Sequence, residues 1–207
     1  MRVRHTDWNN YRYIFPARYL KESLFDAVTS AAVITRKTST PPKKALEIGC
    51  GVSPCKAMDA CVFYRKADTY FLDKYVENLP GLRVSWDVEW QFDLIFLRGS
   101  INYLDESELN RVGELIAPGG LLFANTFLNP PKAQFTERVE TNLSGKSLIE
   151  RSRLIDQHVV QHQLIFEGEI HEHYFYYHTT SEFEEMLGGN CTFTPYGKGS
   201  VLIMKQG

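Results

Sequence analysis

Residues 45–54 read Ala45-Leu46-Glu47-Ile48-Gly49-Cys50-Gly51-Val52-Ser53-Pro54. The first half is a short apolar run broken by one acid, the pattern of a buried strand. It ends in Gly-x-Gly. Glycine reaches backbone conformations closed to other residues and lets a ligand approach bare backbone. Ser53 followed by Pro54 predicts a helix start. Serine caps well, and proline at the first helical position forfeits no needed N–H. Strand, glycine turn and helix make the opening unit of an α/β sheet, whose ligands bind beyond the carboxyl ends of the strands.

Downstream the same alternation continues. Residues 70–74 and 82–86 predict strands two and three. Residues 92–97 are almost wholly apolar and predict a central parallel strand covered on both faces. Asp105-Glu106-Ser107-Glu108 matches a capping box, with the acid three residues after the cap. Pro118-Gly119-Gly120 is expected to end that helix, with strand five over 121–126. Residues 130–160 are polar and are expected to form loop plus helix, and 164–178 to be extended. Thr179-Thr180-Ser181-Glu182 precedes a short helix reaching Leu187. Residues 191–196 and 200–205 predict a hairpin joined by Gly197-Lys198-Gly199. The whole predicts a mostly parallel sheet with one antiparallel strand.

Upstream, Thr38-Ser39-Thr40-Pro41-Pro42-Lys43-Lys44 forms a polar joint. Before it, residues 16–36 predict a helix whose apolar face carries Leu20, Leu24, Ala27, Val28, Ala31 and Ala32. An aromatic lead of Trp8, Tyr11, Tyr13 and Phe15 precedes that helix.

Two ligand classes compete for the glycine turn. A dinucleotide fingerprint needs a third small residue where this chain has Pro54. Glu47 would also repel a pyrophosphate. S-adenosylmethionine carries an ammonium and a sulfonium, and an acid at this strand end suits it.

Further segments fall in order. Asp73 ends the second strand, Asp87 and Val88 follow the third, and Phe92-Asp93-Leu94-Ile95 opens the fourth. Leu115-Ile116-Ala117-Pro118-Gly119-Gly120-Leu121-Leu122 leads into the fifth. With Glu47-Ile48-Gly49-Cys50-Gly51, this series resembles the ordered motifs of class I S-adenosylmethionine-dependent methyltransferases, most closely over residues 44–127. The resemblance implies a Rossmann-like, doubly wound, mostly parallel seven-stranded α/β sheet with one antiparallel strand. It implies S-adenosyl-L-methionine as cofactor. The expected binding set is Glu47, Gly49, Cys50, Gly51, Asp73, Lys74, Asp87, Val88 and Arg98. Within it, Asp73 is expected to hold the ribose hydroxyls and Asp87 to lie near the adenine amino group. Tyr75 is a candidate to stack on adenine. The plainer alternatives are a tight turn for the two glycines and solvated loop acids for the two aspartates.

The resemblance also implies one domain over 1–207. Residues 1–40 would form a helical lid, and about 128–180 an insertion capping the substrate. No Asp/Asn-Pro-Pro-aromatic motif follows the fourth strand, which argues against amino-methylation of nucleobases or glutamine. Arg98, Asn102 and Tyr103 stand there instead and are pocket candidates. In the stretch from Glu167 to His178, Glu169, His171 and His173 would share one strand face, with Tyr174, Tyr176 and His178 on the other. Imidazole titrates near neutrality, so His173 and His178 are candidate bases, with Tyr103 the third catalytic candidate. No metal is expected.

Composition bounds the remainder. The 207 residues are 43% hydrophobic and 23% charged, with net charge −2, which are values of a globular domain. Residues 1–44 carry +6 and the rest −8. The leading expectation is methylation of an O or N atom of a small molecule. The alternatives are an RNA or tRNA methyltransferase anchored by the basic N-terminal region, and a non-catalytic scaffold of the same fold. Cys50, Cys55, Cys61 and Cys191 form no CxxC pair and read as reduced thiols. With no apolar run of membrane length, a cytoplasmic protein without membrane association is expected. A homodimer is compatible with this reading.

Overall fold

The computed structural model describes residues 20–34, 41–51, 54–74, 79, 81–130, 132–196 and 200–207. The expectations for Trp8, Tyr11, Tyr13, Ser53, Tyr75 and the turn 197–199 therefore lie outside the described residues. Strand β1 (Lys44–Ile48) is followed by a short helix α2 (Lys56–Ala60) and strand β2 (Asp68–Leu72). Then come β3 (Leu82–Arg83), β4 (Phe92–Leu97), a 3-10 turn (Ile101–Tyr103), α3 (Glu106–Glu114) and β5 (Ile116–Thr126). After an inserted segment, α4 (Thr180–Met186), β10 (Cys191–Pro195) and β11 (Val201–Gln206) complete the main layer.

These strands form one seven-stranded sheet in the order β10-β11-β5-β4-β1-β2-β3. β11 runs antiparallel to both its neighbours, and the remaining ladders are parallel. The doubly wound sheet with one reversed strand is thus as expected. Its central strands separate two apolar cores. One holds Leu46, Ile48, Ile95 and Leu97 against α3 and α4. The other holds Ala45, Leu94, Phe96 and Phe123 against Phe25, Met58 and Cys61. The expected capping box is present, and the short helix after Thr179 carries another. Asp105 and Glu108 make a complete capping box on α3, and Thr179 and Glu182 make one on α4.

Four local expectations are corrected. Helix α2 begins at Lys56 with Cys55 at its cap, so Pro54 precedes the helix instead of opening it. Pro118-Gly119-Gly120 lies inside β5, because the helix has already ended at Glu114 and a register shift in the β4–β5 ladder absorbs the proline. The N-terminal helix α1 (Leu20–Ile34) presents a different face. It buries Phe25, Asp26, Thr29 and Val33, while Leu24 and Val28 stay 50% and 39% exposed. Phe25 fills the second core, and the same rotation turns Asp26 inward to a buried arginine.

The fourth correction concerns residues 130–160, where strands replace the expected loop and helix. β6 (Phe135–Thr141), β7 (Ser147–Leu154), β8 (Val159–Phe166) and β9 (Glu169–Tyr176) form a separate antiparallel sheet in chain order. Its turns explain it. Asn142 Oδ1 accepts from the backbone N–H of Ser144 and Lys146. Asp156 Oδ1 accepts from those of His158 and Val159. Glu167 and Gly168 both take positive φ, as a tight two-residue hairpin requires. One face covers Leu148, Val160 and Leu164, and the other is largely open to water, so apolar alternation is weak in the sequence. Among the described residues, no helix is long and apolar enough to cross a membrane.

Candidate functional site

The carboxyl ends of β1, β2, β4 and β5 share one edge of the sheet. Chain order reverses between β1 and β4, which makes their ends the topological switch point where open α/β sheets hold ligands. Gly49 and Gly51 lie on the β1 side, at φ 73° and 60°. Their surroundings differ. A Cβ on Gly49 would lie 2.4 Å from Ser100 Cβ, and Ser100 Oγ donates to the Ile48 carbonyl at 2.6 Å. Gly49 therefore lets β4 close on β1. A Cβ on Gly51 would meet none of the described residues within 4 Å. Its N–H donates to Asp73 Oδ2 at 2.9 Å, so the carboxylate at the end of β2 is drawn to the glycine turn. The open space over Gly51, rimmed by Asp73, is a cradle that a side chain here would fill.

Glu47 lies beneath this turn and is fully buried. Oε2 accepts from the Cys55 N–H at 2.9 Å, and Oε1 stands 3.7 Å from Arg98 Nη2 without a hydrogen-bond partner. Arg98 Nη1 is 3.4 Å from Asp26 Oδ2. Two carboxylates thus share one guanidinium, and α1 is tied to the switch point through Asp26. Burial pushes the Glu47 carboxyl up to about 7, against the opposing pull of Arg98. Neither Glu47 nor Arg98 faces an open crevice. The charges pair internally because each would otherwise lie unsolvated in the second core. Cys50 is buried, and desolvation with the nearby Glu47 and Asp73 raises its thiol well above the ordinary range.

The other expected cofactor residues spread along the same edge. Lys74 pairs with Glu108 at 3.0 Å, joining the end of β2 to the start of α3. Asp87 is exposed, and the Ser85 hydroxyl donates to it and holds its carboxyl below the usual range. Val88 is buried in the first core, and both its backbone groups are engaged. Its N–H donates to the Ser85 carbonyl, and its own carbonyl accepts from Arg111. The expected adenine wall is therefore braced by α3.

Beyond β4 the second sheet meets the 3-10 turn. The Tyr103 ring lies 5.3 Å from His173 and 4.3 Å from Phe175, centre to centre. His162 stacks on His173 at 5.5 Å, and its Nδ1 is 2.9 Å from Ser152 Oγ. Tyr103 and His173 are thus brought together, with His162 and Ser152 behind them. His178 stands apart, edge-on to Phe183 at 5.2 Å, with a buried Nε2 that finds no partner among the described residues. Desolvation lowers its pKa. Asn102 is no open pocket residue. Its amide donates to the carbonyls of Phe127 and Tyr176, and its oxygen accepts from Thr126 Oγ1 and the Phe127 N–H. It rivets three chain segments together. Sequence reasoning overlooked Asp26, Ser152 and His162. The acid inside a helix was the one available signal for Asp26, while a lone serine and histidine in polar strands offered none. Among the described residues, no three His, Cys, Asp or Glu gather as metal ligands would.

No protein-family model and no curated protein matches the chain. Solved structures do match it. The PH0226 protein from Pyrococcus horikoshii OT3 superposes with a TM-score of 0.56 at 14% identity, over 95% of this chain and 98% of that one. An O-methyltransferase family protein from Burkholderia thailandensis superposes with a TM-score of 0.54 at 11% identity, over 98% of this chain and 59% of that one. At such identities the likeness concerns architecture. The chain has the seven-stranded, Rossmann-like fold of class I methyltransferases.

Proposed function

We propose that this chain is an S-adenosyl-L-methionine-dependent methyltransferase acting on an O or N atom of a small molecule. The observation that carries the reading is the pairing of an open Gly51 with Asp73 at the switch point. A bare, positive-φ turn beside a strand-end carboxylate suits a ligand with hydroxyls on one side and cationic groups on the other. Among the described residues, Glu47 and Asp26 gather acid about Arg98 beneath the turn, a setting that suits a cationic ligand.

When bound, the cofactor supplies an electrophilic methyl group on sulfur. The chain's own work is to align an acceptor lone pair with that carbon and to exclude water. In this reading the second sheet covers the acceptor. Tyr103 and His173 line its near face, and His173 takes the acceptor proton where one must leave. His162 and Ser152 hold the His173 ring in place. Asp73 holds the ribose, and Gly49, Cys50 and Gly51 supply the backbone floor. Lys74, Asp87 and Val88 border the adenine.

Calorimetric titration tests the cofactor. S-adenosylmethionine and S-adenosylhomocysteine should bind at micromolar dissociation constants and NADH not at all. Asp73→Ala should weaken binding about tenfold or more without unfolding the domain, since it removes a part-buried, charge-assisted bond at the strand end and no core contact. Absence of binding by both sulfur compounds would sink the reading. Acceptance of methyl by RNA instead of metabolites would overturn the small-molecule assignment.

A further inference from the structure

Among the described residues nothing pairs with the outer edge of strand β6, read Phe135-Thr136-Glu137-Arg138-Val139-Glu140-Thr141. All of it is exposed except Glu140, which is half-buried. Phe135 and Val139 are 56% and 58% exposed, and Leu143 in the following turn is fully exposed. Three large apolar side chains on one strand edge are a pairing hazard unless something covers them.

The backbone direction of β6 is set by its ends. The Asn142 N–H donates to the Lys146 carbonyl at 2.9 Å, and the Gln134 carbonyl accepts from Leu154 at 2.9 Å. Residues 134 and 142 thus turn their polar backbone toward β7. Strand alternation then directs Phe135, Glu137, Val139 and Thr141 outward with theirs.

We infer that β6 pairs antiparallel with β6 of a second copy of this chain, with Val139 opposite the partner's Val139. A twofold axis through Val139 keeps each sheet face continuous, and it makes each outward N–H and carbonyl of one copy meet its complement. In this register Arg138 lies opposite the partner's Glu140, and Glu140 opposite the partner's Arg138. These form the closely spaced, non-hydrogen-bonded pairs of the ladder, where opposite charges interact best. Glu137 meets the partner's Thr141, and Phe135 meets the partner's Leu143. Shifting the axis by one residue, to Arg138, sets two arginines face to face. Side-chain charge thereby selects the register.

The outer face of the sheet agrees with this choice. Val139, Ile149, Ile165 and Ile170 are directly opposed across β6, β7, β8 and β9, forming one aliphatic row. Pairing at Val139 joins this row to its copy as a single stripe across eight strands.

Sedimentation velocity of the full chain across a concentration series should show a monomer–dimer equilibrium. Val139→Pro removes only an outward N–H, so it should leave the β7 ladder intact and weaken dimerisation about tenfold or more. Arg138→Glu should weaken it about tenfold by setting like charges opposite each other, and adding Glu140→Arg should restore it to within about threefold. Amide exchange at Val139 and Glu137 should slow as concentration rises, a readout that a general loss of fold does not reproduce. A chain that stays monomeric to about 100 μM, below which even modest specific interfaces assemble, overturns the proposal. A dimer indifferent to all three variants, or one that the double charge swap fails to restore, overturns it equally.

Discussion

Arg98 Nη2 stands 3.7 Å from Glu47 Oε1 across the switch point between β1 and β4, with both side chains withdrawn from water. Asp26 of α1 meets the same guanidinium at 3.4 Å. Arg98→Met would remove the guanidinium that both buried acids face. Removing one partner of a buried pair costs about 3–5 kcal/mol. Urea unfolding at neutral pH should show a loss in that range, and a loss below about 1 kcal/mol would deny the cluster a structural role.

Glu47 also predicts a pH dependence. Its folded-state pKa of about 7 lies above its ordinary value of 4.5 because burial disfavours the charge. The folded state therefore holds the proton more tightly than the unfolded chain. The stabilisation is fully present below about 4.5 and is lost as pH rises through about 7. Glu47→Gln should flatten this part of the stability profile. A cation bound over the turn would lower the Glu47 pKa, so cofactor binding near pH 7 should release protons. Calorimetry in buffers of different ionisation enthalpy should detect the release in the native chain and lose it in Glu47→Gln.

The two glycines should fail differently. Gly49→Ala places a Cβ 2.4 Å from Ser100 Cβ and forces β1 from β4. It should lower stability by about 2 kcal/mol or more, as overpacking and positive φ combine. A Cβ on Gly51 meets none of the described residues within 4 Å, so the stability loss of Gly51→Val should be limited to roughly the 1–2 kcal/mol of a left-handed residue. Its cofactor binding should nevertheless disappear. Thermal unfolding and calorimetry, run on both variants, separate the two effects, and near-normal affinity in Gly51→Val would remove the site from this turn.

His173 and His178 should also separate. His173→Ala should lower turnover while leaving cofactor affinity unchanged, because the ring packs with Tyr103, His162 and Phe175 where the second sheet meets the 3-10 turn. His178 packs on Phe183 beside the first core, and its depressed pKa keeps it neutral at neutral pH. Stability from its burial is present above its ordinary pKa of 6.5 and is lost as pH falls through the lower folded value. His178→Ala should blunt that acid sensitivity. Equal losses of turnover in both variants, at unchanged stability, would assign the base to His178 as readily as to His173.

Much of the candidate site was legible because its signals are local. Gly49 and Gly51 mark a turn, Asp73 ends a strand, and Asp105 with Glu108 caps a helix, each readable within a few residues. The second sheet was not legible. Its strands carry charge on an open face, so β6 and β7 lack the strong alternation that marks a half-buried strand. Asn102 was misjudged for a related reason. A polar residue after a central strand reads the same whether it faces a ligand or satisfies four backbone and hydroxyl partners.

The sequence by itself determined the order of strands and helices of the main sheet, the glycine turn at the first crossover and the reversed final hairpin. Those follow from apolar runs, turn residues and caps, which act over short stretches of chain. Only the tertiary structure decided which face α1 buries, that Glu47 looks inward to Arg98, and that Tyr103 meets His173. Each depends on groups far apart in the chain competing for one buried space. The outcome rests on pairing charge and filling volume there, and no local pattern records it.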